Sequence, residues 1–279
     1  MNEQIIVEFD VPAPMRDGVI LRANIFRPAG DGTYPVILNR TPYGKDFGSV
    51  QPFGDAARMA RAGYIVVIQD VRGRYRSDGE WRVFQHEAAD GYDTVEWAAR
   101  LPGATGSVGM YGASYVGFTQ WMAAKEAPPS LKALVPSIAP ADVRDGMSWR
   151  GGALELGLQA NWLLSALAID ITLKRHKNAP PAEQMQALGQ VIHEIDHLRT
   201  AGYLSMPLKD FEPLKKLGLI TELEEIIENA DNFAFYAPFS ITNFYNQVRV
   251  PTLNVGGWYD IFIGGTLHNF QALQRSGST

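Results

Sequence analysis

The sequence contains no cysteine. That absence removes disulfides, thiolate metal sites and thiol nucleophiles together, while leaving the redox compartment open. Positive charge is not in excess either. The 25 lysines and arginines against 30 aspartates and glutamates give a net charge of -5. There is no basic tail, which argues against nucleic acid and against an anionic membrane surface as partners. No apolar run reads as long enough to span a bilayer. Residues 1–8 lack the positive start and long apolar core of a secretory signal, so the sequence reads as cytoplasmic. Internal repeats and low-complexity segments are missing, and no cofactor or metal ion is expected. Association of the chain with further copies of itself is left open.

At 279 residues the chain can bury a full core. One large domain, or one domain carrying an insertion, is expected. Apolar runs predict strands at 5–11, 19–26, 35–39, 64–69, 107–111, 132–137 and 252–255. Helical periodicity lies between several of them, at 55–62, 86–99 and 118–127. Strands alternating with helices imply a mainly parallel sheet covered on both faces, with an active site at the carboxyl ends of the strands. The first two strands are too close for an intervening helix and read as an antiparallel hairpin. From about 145 to 240 the rhythm changes to long helical patterns at 153–174, 182–200 and 212–229. This block reads as a helical cap inserted between core segments 1–144 and 241–279. Its acidic run at 222–228 reads as a solvated helix face rather than a cation site.

The most informative stretch is Gly112-Ala113-Ser114-Tyr115-Val116-Gly117. A strand meets a glycine-flanked serine and passes straight into a helix, so the hydroxyl stands at a sharp turn beside the first N–H groups of that helix. Those groups suit the oxyanion formed when a hydroxyl attacks a carbonyl. Ser114 is therefore the candidate nucleophile, although the second glycine falls one residue later than in the common Gly-x-Ser-x-Gly pattern. Gly256-Gly257-Trp258-Tyr259-Asp260 follows the last predicted strand and offers Asp260 as the acid of a triad, in the chain order of α/β-hydrolases. A helix cap near Gly264 is the competing role for Asp260. Tyr43 and Gly44, just after the third strand, stand where a second oxyanion donor is presented, and a plain turn accounts for them equally well.

The base is harder to place. His268 follows Asp260 but lies inside a helical pattern, and His86 reads as a capping or structural residue. His193 and His197 have the spacing of a zinc-binding helix without the rest of that motif.

Met15-Arg16-Asp17-Gly18-Val19, Asn39-Arg40-Thr41-Pro42-Tyr43 and Asp70-Val71-Arg72-Gly73-Arg74 with Ser77-Asp78-Gly79-Glu80 carry a resemblance that extends over nearly the whole chain. Glu87-Ala88, Asp93-Thr94-Val95-Glu96-Trp97, the Ser114 segment with Gln120-Trp121, and Gly257-Trp258-Tyr259-Asp260 continue it in the same order. Together they resemble the cocaine-esterase-like hydrolases, relatives of X-prolyl dipeptidyl peptidases and α-amino acid ester hydrolases. The resemblance implies an α/β-hydrolase fold with an inserted helical cap and a serine hydrolase of esters or amides working through an acyl-enzyme. It implies Ser114 as nucleophile, Asp260 as triad acid, and the Tyr43 hydroxyl and Tyr115 backbone N–H as oxyanion donors. Trp149, Trp162 and Phe262 would be aromatic positions of an acyl pocket under the cap, with cap core as the competing role. In such enzymes the catalytic histidine and a β-rich domain come later in the chain, so the sequence resembles the first part of a longer enzyme and is expected to be a poor catalyst by itself. A non-catalytic binding protein on the same fold is the alternative. Arg72 is expected to brace a strand end rather than touch substrate.

Overall fold

A computed structural model describes residues 4–48 and 54–276. Six strands form one sheet: β1 (Ile5–Pro14), β2 (Ile20–Pro28), β3 (Tyr34–Thr41), β4 (Ile65–Asp70), β5 (Ala104–Ala113) and β6 (Leu131–Ser137). Their spatial order is β1-β2-β4-β3-β5-β6. The β1–β2 hairpin is antiparallel, as expected from its short connection, and β2 runs antiparallel to β4. From β4 through β3 and β5 to β6 every pairing is parallel. β4 lies in the middle of this arrangement, and every one of its residues is buried. Its unbroken Ile65-Val66-Val67-Ile68 run suits a strand covered on both faces.

The helices α1 (Lys45–Gly48), α2 (Ala56–Arg61), α3 (Glu87–Ala99) and α4 (Tyr115–Lys125) connect these strands. In α4 the first ten residues, Tyr115 to Ala124, are all buried, so this helix has no polar face and belongs in the interior. It crosses α3 closely: a Cβ on Gly91 would stand 2.9 Å from the Ala123 Cβ. Residues 252–255 pair in parallel with β6 through two bridges rather than a continuous ladder. Leu134 donates to the Pro251 carbonyl at 3.0 Å, Leu253 to Leu134 at 2.9 Å, Val255 to Pro136 at 3.1 Å and Ile138 to Val255 at 2.7 Å. The expected seventh strand is thus present as a short rung. The helix Ile263–Ser276 follows it.

By the clustering of its contacts the chain divides into two compact units, one of Met1–Asp142 with Phe239–Thr279 and the other Val143–Pro238. The second unit is helical, with its longest helix at Pro181–Thr200. It differs from the sequence reading in three places. A two-residue hairpin, Trp149–Arg150 with Ala153–Leu154, precedes the first helix. The pattern at 212–229 splits into Glu212–Lys216 and Thr221–Glu228. The split has a local cause: Gly218, at a φ of +64°, ends the first piece, with the Gly218 and Leu219 N–H groups donating back to the Lys215 (3.0 Å) and Leu214 (2.9 Å) carbonyls, and Arg175 adds bonds to the carbonyls of Leu217 (2.8 Å) and Gly218 (3.1 Å). Finally, the run Leu156–Arg175 is long and apolar enough, by length and composition alone, to cross a membrane, which corrects the sequence reading that no apolar run is that long. It carries Asp170, Lys174 and Arg175 and includes a π-helical turn at Leu163–Leu167.

Among the described residues no strand pairs with the outer side of 252–255, and Leu253 there is 64% exposed. Open strand edges flanked by apolar side chains recruit other chains. The purified chain is therefore expected to sediment as species larger than a monomer, and Leu253→Lys to shift it toward monomer. Sedimentation velocity on both proteins checks this; a monomeric parent would refute it.

Candidate active site

Ser114 sits between β5 and α4 with φ 59° and ψ -123°, a left-handed conformation that is costly for a residue with a side chain. The surrounding backbone holds it there. Its N–H donates to the Ser137 carbonyl at 3.0 Å, and its own carbonyl accepts from Gly117 and Phe118, both at 2.9 Å. The two glycines have separate reasons. Gly112, at φ 139°, has no room for a Cβ, which would fall into Val116 and lie 3.1 Å from Asn39 Nδ2. A Cβ on Gly117 would stand 2.7 Å from that of Ala139, so glycine at this position lets α4 approach the end of β6. That is a physical reason for the second glycine falling one residue late. The Ser114 side chain makes no capping hydrogen bond to α4, and its hydroxyl is not committed to the helix.

Sheet order brings the other expected residues to the same edge. β3 neighbours β5 and ends at Thr41, two residues before Tyr43. β6 pairs with β5 on the other side and with 252–255 beyond it. The ends of β5 and of 252–255 are therefore two strand spacings apart, roughly 10 Å. Asp260 follows five residues later, half-buried, and its Oδ2 is buried without a hydrogen-bond partner among the described residues. Its backbone N–H donates to the Gly257 carbonyl and its carbonyl accepts from Ile263. Beside it Trp258 and Tyr259 are exposed, whereas Phe262 is buried. In the second unit Trp149 and Trp162 are half-buried, and the Trp149 indole N–H donates to the Tyr236 hydroxyl at 3.2 Å.

Tyr115 turns its ring away from the turn, into the interior. It stacks on Phe84 with centroids 5.2 Å apart, its hydroxyl donates to Glu87 Oε1 at 2.9 Å and it accepts the Phe84 N–H at 3.3 Å. Burial and the adjacent Glu87 carboxylate push the phenol well above its ordinary value. Burial also drives Glu87 upward, with the Arg40 charge opposing. Arg40 Nη1 lies 2.8 Å from Glu87 Oε2, yet that oxygen has no aligned hydrogen bond, so the attraction is Coulombic. Arg72 grips Asp90 with two hydrogen bonds and Asp17 with a third, at 3.0, 2.6 and 2.7 Å, which is the bracing role expected of it.

The histidines lie elsewhere. His86 precedes α3 among Arg72, Asp90, Asp17 and Glu80, its pKa lowered first by burial and then by Arg72. The His268 ring packs 5.9 Å from that of Tyr245. His176 Nδ1 lies 2.9 Å from the Thr172 carbonyl, and His193 stacks on His197. Among the described residues no group of three or more His, Asp and Glu side chains could hold a metal ion.

The model of the X-Pro dipeptidyl-peptidase (S15) family matches residues 17–278. The chain belongs to that family. It is 34% identical over 273 residues to the cocaine esterase of a Rhodococcus species (strain MB1 Bresler), a match covering 96% of this chain and 46% of that protein. Among solved structures, an α-amino acid ester hydrolase superposes with a TM-score of 0.69 at 25% identity over 97% of this chain and 45% of that one. A CocE/NonD family hydrolase from Staphylococcus aureus gives 0.56 at 31% identity, covering 60% of this chain and 33% of that one. The chain thus spans less than half the length of each of these three proteins. With these neighbours the mainly parallel sheet is that of an α/β-hydrolase.

The sequence reading used Asp70 and Glu87 only as marks of resemblance. Asp70 is fully buried, and desolvation raises its pKa to about 6 despite the backbone N–H groups of Lys45 and Arg76 that favour the anion. An unfolded aspartate titrates near ~3.9, so folding favours protonated Asp70. That contribution is whole below about pH 4 and is lost as the pH rises through about 6, a difference of roughly 3 kcal/mol. Asp70→Asn removes it. Relative to its parent, the variant should gain by that order between about pH 4 and about pH 7. Urea unfolding of both proteins at the two pH values measures the gain, and parallel profiles would contradict it.

Proposed function

We propose that the protein is a serine hydrolase of small esters or amides that works through an acyl-enzyme. Ser114 Oγ attacks the substrate carbonyl and transfers its proton to an imidazole, and the carbonyl oxygen becomes an oxyanion. The Tyr115 N–H, at the start of α4, and the Tyr43 hydroxyl donate to that oxygen. Expulsion of the alcohol or amine, reprotonated by the imidazolium, leaves the acyl-Ser114 ester, which water then cleaves by the same steps in reverse roles. Asp260 orients the imidazole. The observation that carries this reading is the strained, backbone-held Ser114 with its hydroxyl uncommitted to the helix.

The buried Oδ2 of Asp260 is the acceptor such an imidazole needs, and among the described residues it has no hydrogen-bond partner. The five histidines of this sequence have other surroundings, so the base in this proposal is a histidine that none of them provides. The X-Pro dipeptidyl-peptidase family and the cocaine esterase similarity both favour an acyl-transfer substrate, ester or amide. Phe262 is proposed to contact its acyl group. Trp149, tied through its indole to Tyr236, offers only its ring. A cytoplasmic location fits the sequence and belongs to the same proposal. The absent imidazole favours a second reading, a non-catalytic binder on this fold.

The test is turnover of p-nitrophenyl acetate by this chain. A slow rate above background is expected, since the oxyanion donors and binding alone retain roughly 10³–10⁴-fold over water when a triad member is missing. Ser114→Ala should reduce it to background, whereas His86→Gln and His268→Gln should leave it within about two-fold. Fast turnover lost in either histidine variant would show that the base is present after all. A rate indifferent to Ser114→Ala would favour the binder.

A further inference from the structure

Tyr43 can serve the oxyanion only if the loop behind it is rigid, and the loop after β4 grips it from both sides. β3 and β4 run in parallel register with Thr41 opposite Asp70. The carboxylate of Asp70 accepts the Lys45 N–H at 2.6 Å on Oδ1 and the Arg76 N–H at 3.2 Å on Oδ2. Arg74, fully buried, donates from Nε to the Pro42 carbonyl at 2.9 Å, and its guanidinium lies over the rings of Tyr75 and Trp81. One clamp therefore closes a residue before Tyr43 and the other two residues after it. Between them the Tyr43 N–H donates to Thr41 Oγ1 at 3.1 Å. Gly44 takes a φ of +96°, and a Cβ there would stand 3.0 Å from the Tyr75 ring.

Building on the reading of Ser114 and Tyr43 given above, we propose that Asp70 and Arg74 are positioning residues whose hydrogen bonds to residues 42 and 45 aim the Tyr43 hydroxyl at the oxyanion. Both bonds act on the backbone on either side of Tyr43. The chemistry of the clamp requires a carboxyl group at 70. Two backbone N–H groups converge on its two oxygens, and an amide would answer one of them with another N–H. Lys45 secures the far side through its buried ammonium, 2.7 Å from Asp10 and 3.3 Å from Asp46.

A mutant cycle on this chain tests the inference, with p-nitrophenyl acetate as substrate and Ser114→Ala as the background. Tyr43→Phe should lower kcat/KM by about 100-fold, the order seen for loss of one oxyanion donor. Asp70→Asn should lower kcat by about ten-fold with KM held within about two-fold, because misplacement is felt in the transition state. In the Tyr43→Phe background the same change should cost less than about two-fold. Equal losses in both backgrounds would mean that Asp70 acts on the fold at large and would overturn the proposal. Arg74→Met gives a second arm should Asp70→Asn fold poorly. A spectroscopic readout is independent of turnover: with 3-fluorotyrosine incorporated, the ¹⁹F line that disappears in Tyr43→Phe should be single in the parent and shifted or broadened in both variants. An unchanged line in both would overturn the proposal even if turnover is too slow to measure. Turnover indifferent to Ser114→Ala would sink the catalytic reading instead, while the ¹⁹F line still decides whether the clamp orders Tyr43.

Discussion

A guanidinium without access to solvent organises the carboxyl edge of the sheet. Arg40, near the end of β3, donates to Gln69 in β4 at 2.9 Å and to the Glu87 carbonyl of α3 at 3.2 Å, and its Nη1 faces the Glu87 carboxylate. Glu87 in turn accepts from the Tyr115 hydroxyl at the start of α4. Two strands and two helices therefore meet around one buried charge pair. Such a pair contributes little net stability over an apolar substitute, but loss of one partner strands the other and costs about 3–5 kcal/mol. What the pair does supply is a fixed relation between β3, which leads to Tyr43, and α4, which begins beside Ser114. The Arg72 bonds to Asp90 and Asp17 tie α3 to the loop after β4 and to the β1–β2 turn.

The strain at Ser114 is tolerable because of this frame. A non-glycine residue at positive φ costs about 1–3 kcal/mol. Here the cost is offset by three backbone hydrogen bonds and by the close seat that Gly112 and Gly117 allow α4. The result is a Ser114 backbone held by hydrogen bonds, with a side chain that is not committed to capping α4. Asp260 is placed less rigidly, in a loop after a two-bridge rung, with exposed aromatics on its amino side.

How far the sequence carried this description follows from where each signal resides. The seven strands were legible because a sheet covered on both faces demands apolar runs, as in Ile65-Val66-Val67-Ile68. Ser114 was legible because strand, glycine and helix adjoin in sequence. The clamps were not. Arg40 and Glu87 are 47 residues apart and Asp70 and Lys45 are 25 apart, and a charged residue read locally is taken as solvated. Only the fold reveals that these charges are buried against one another. The break at 217–220 was different, since its mark is local: Gly218 takes the left-handed conformation that ends a helix. The hairpin at 149–154 has strands of two residues, too short for any periodicity to register.

The second unit leaves the sheet-bearing unit after Asp142 and the chain rejoins it at Phe239. Those two ends lie close together: the Thr242 hydroxyl reaches the Asp142 carboxylate at 3.4 Å. An excursion that returns to its point of departure is a closed loop, and the entropy of closing a loop grows only logarithmically with its length, about 0.6 kcal/mol for each doubling. The fold therefore has a port at which the inserted segment can lengthen, shorten or be exchanged while the strand order around Ser114 stays the same. Changes in the inserted segment can then accumulate largely apart from changes in the sheet that carries Ser114.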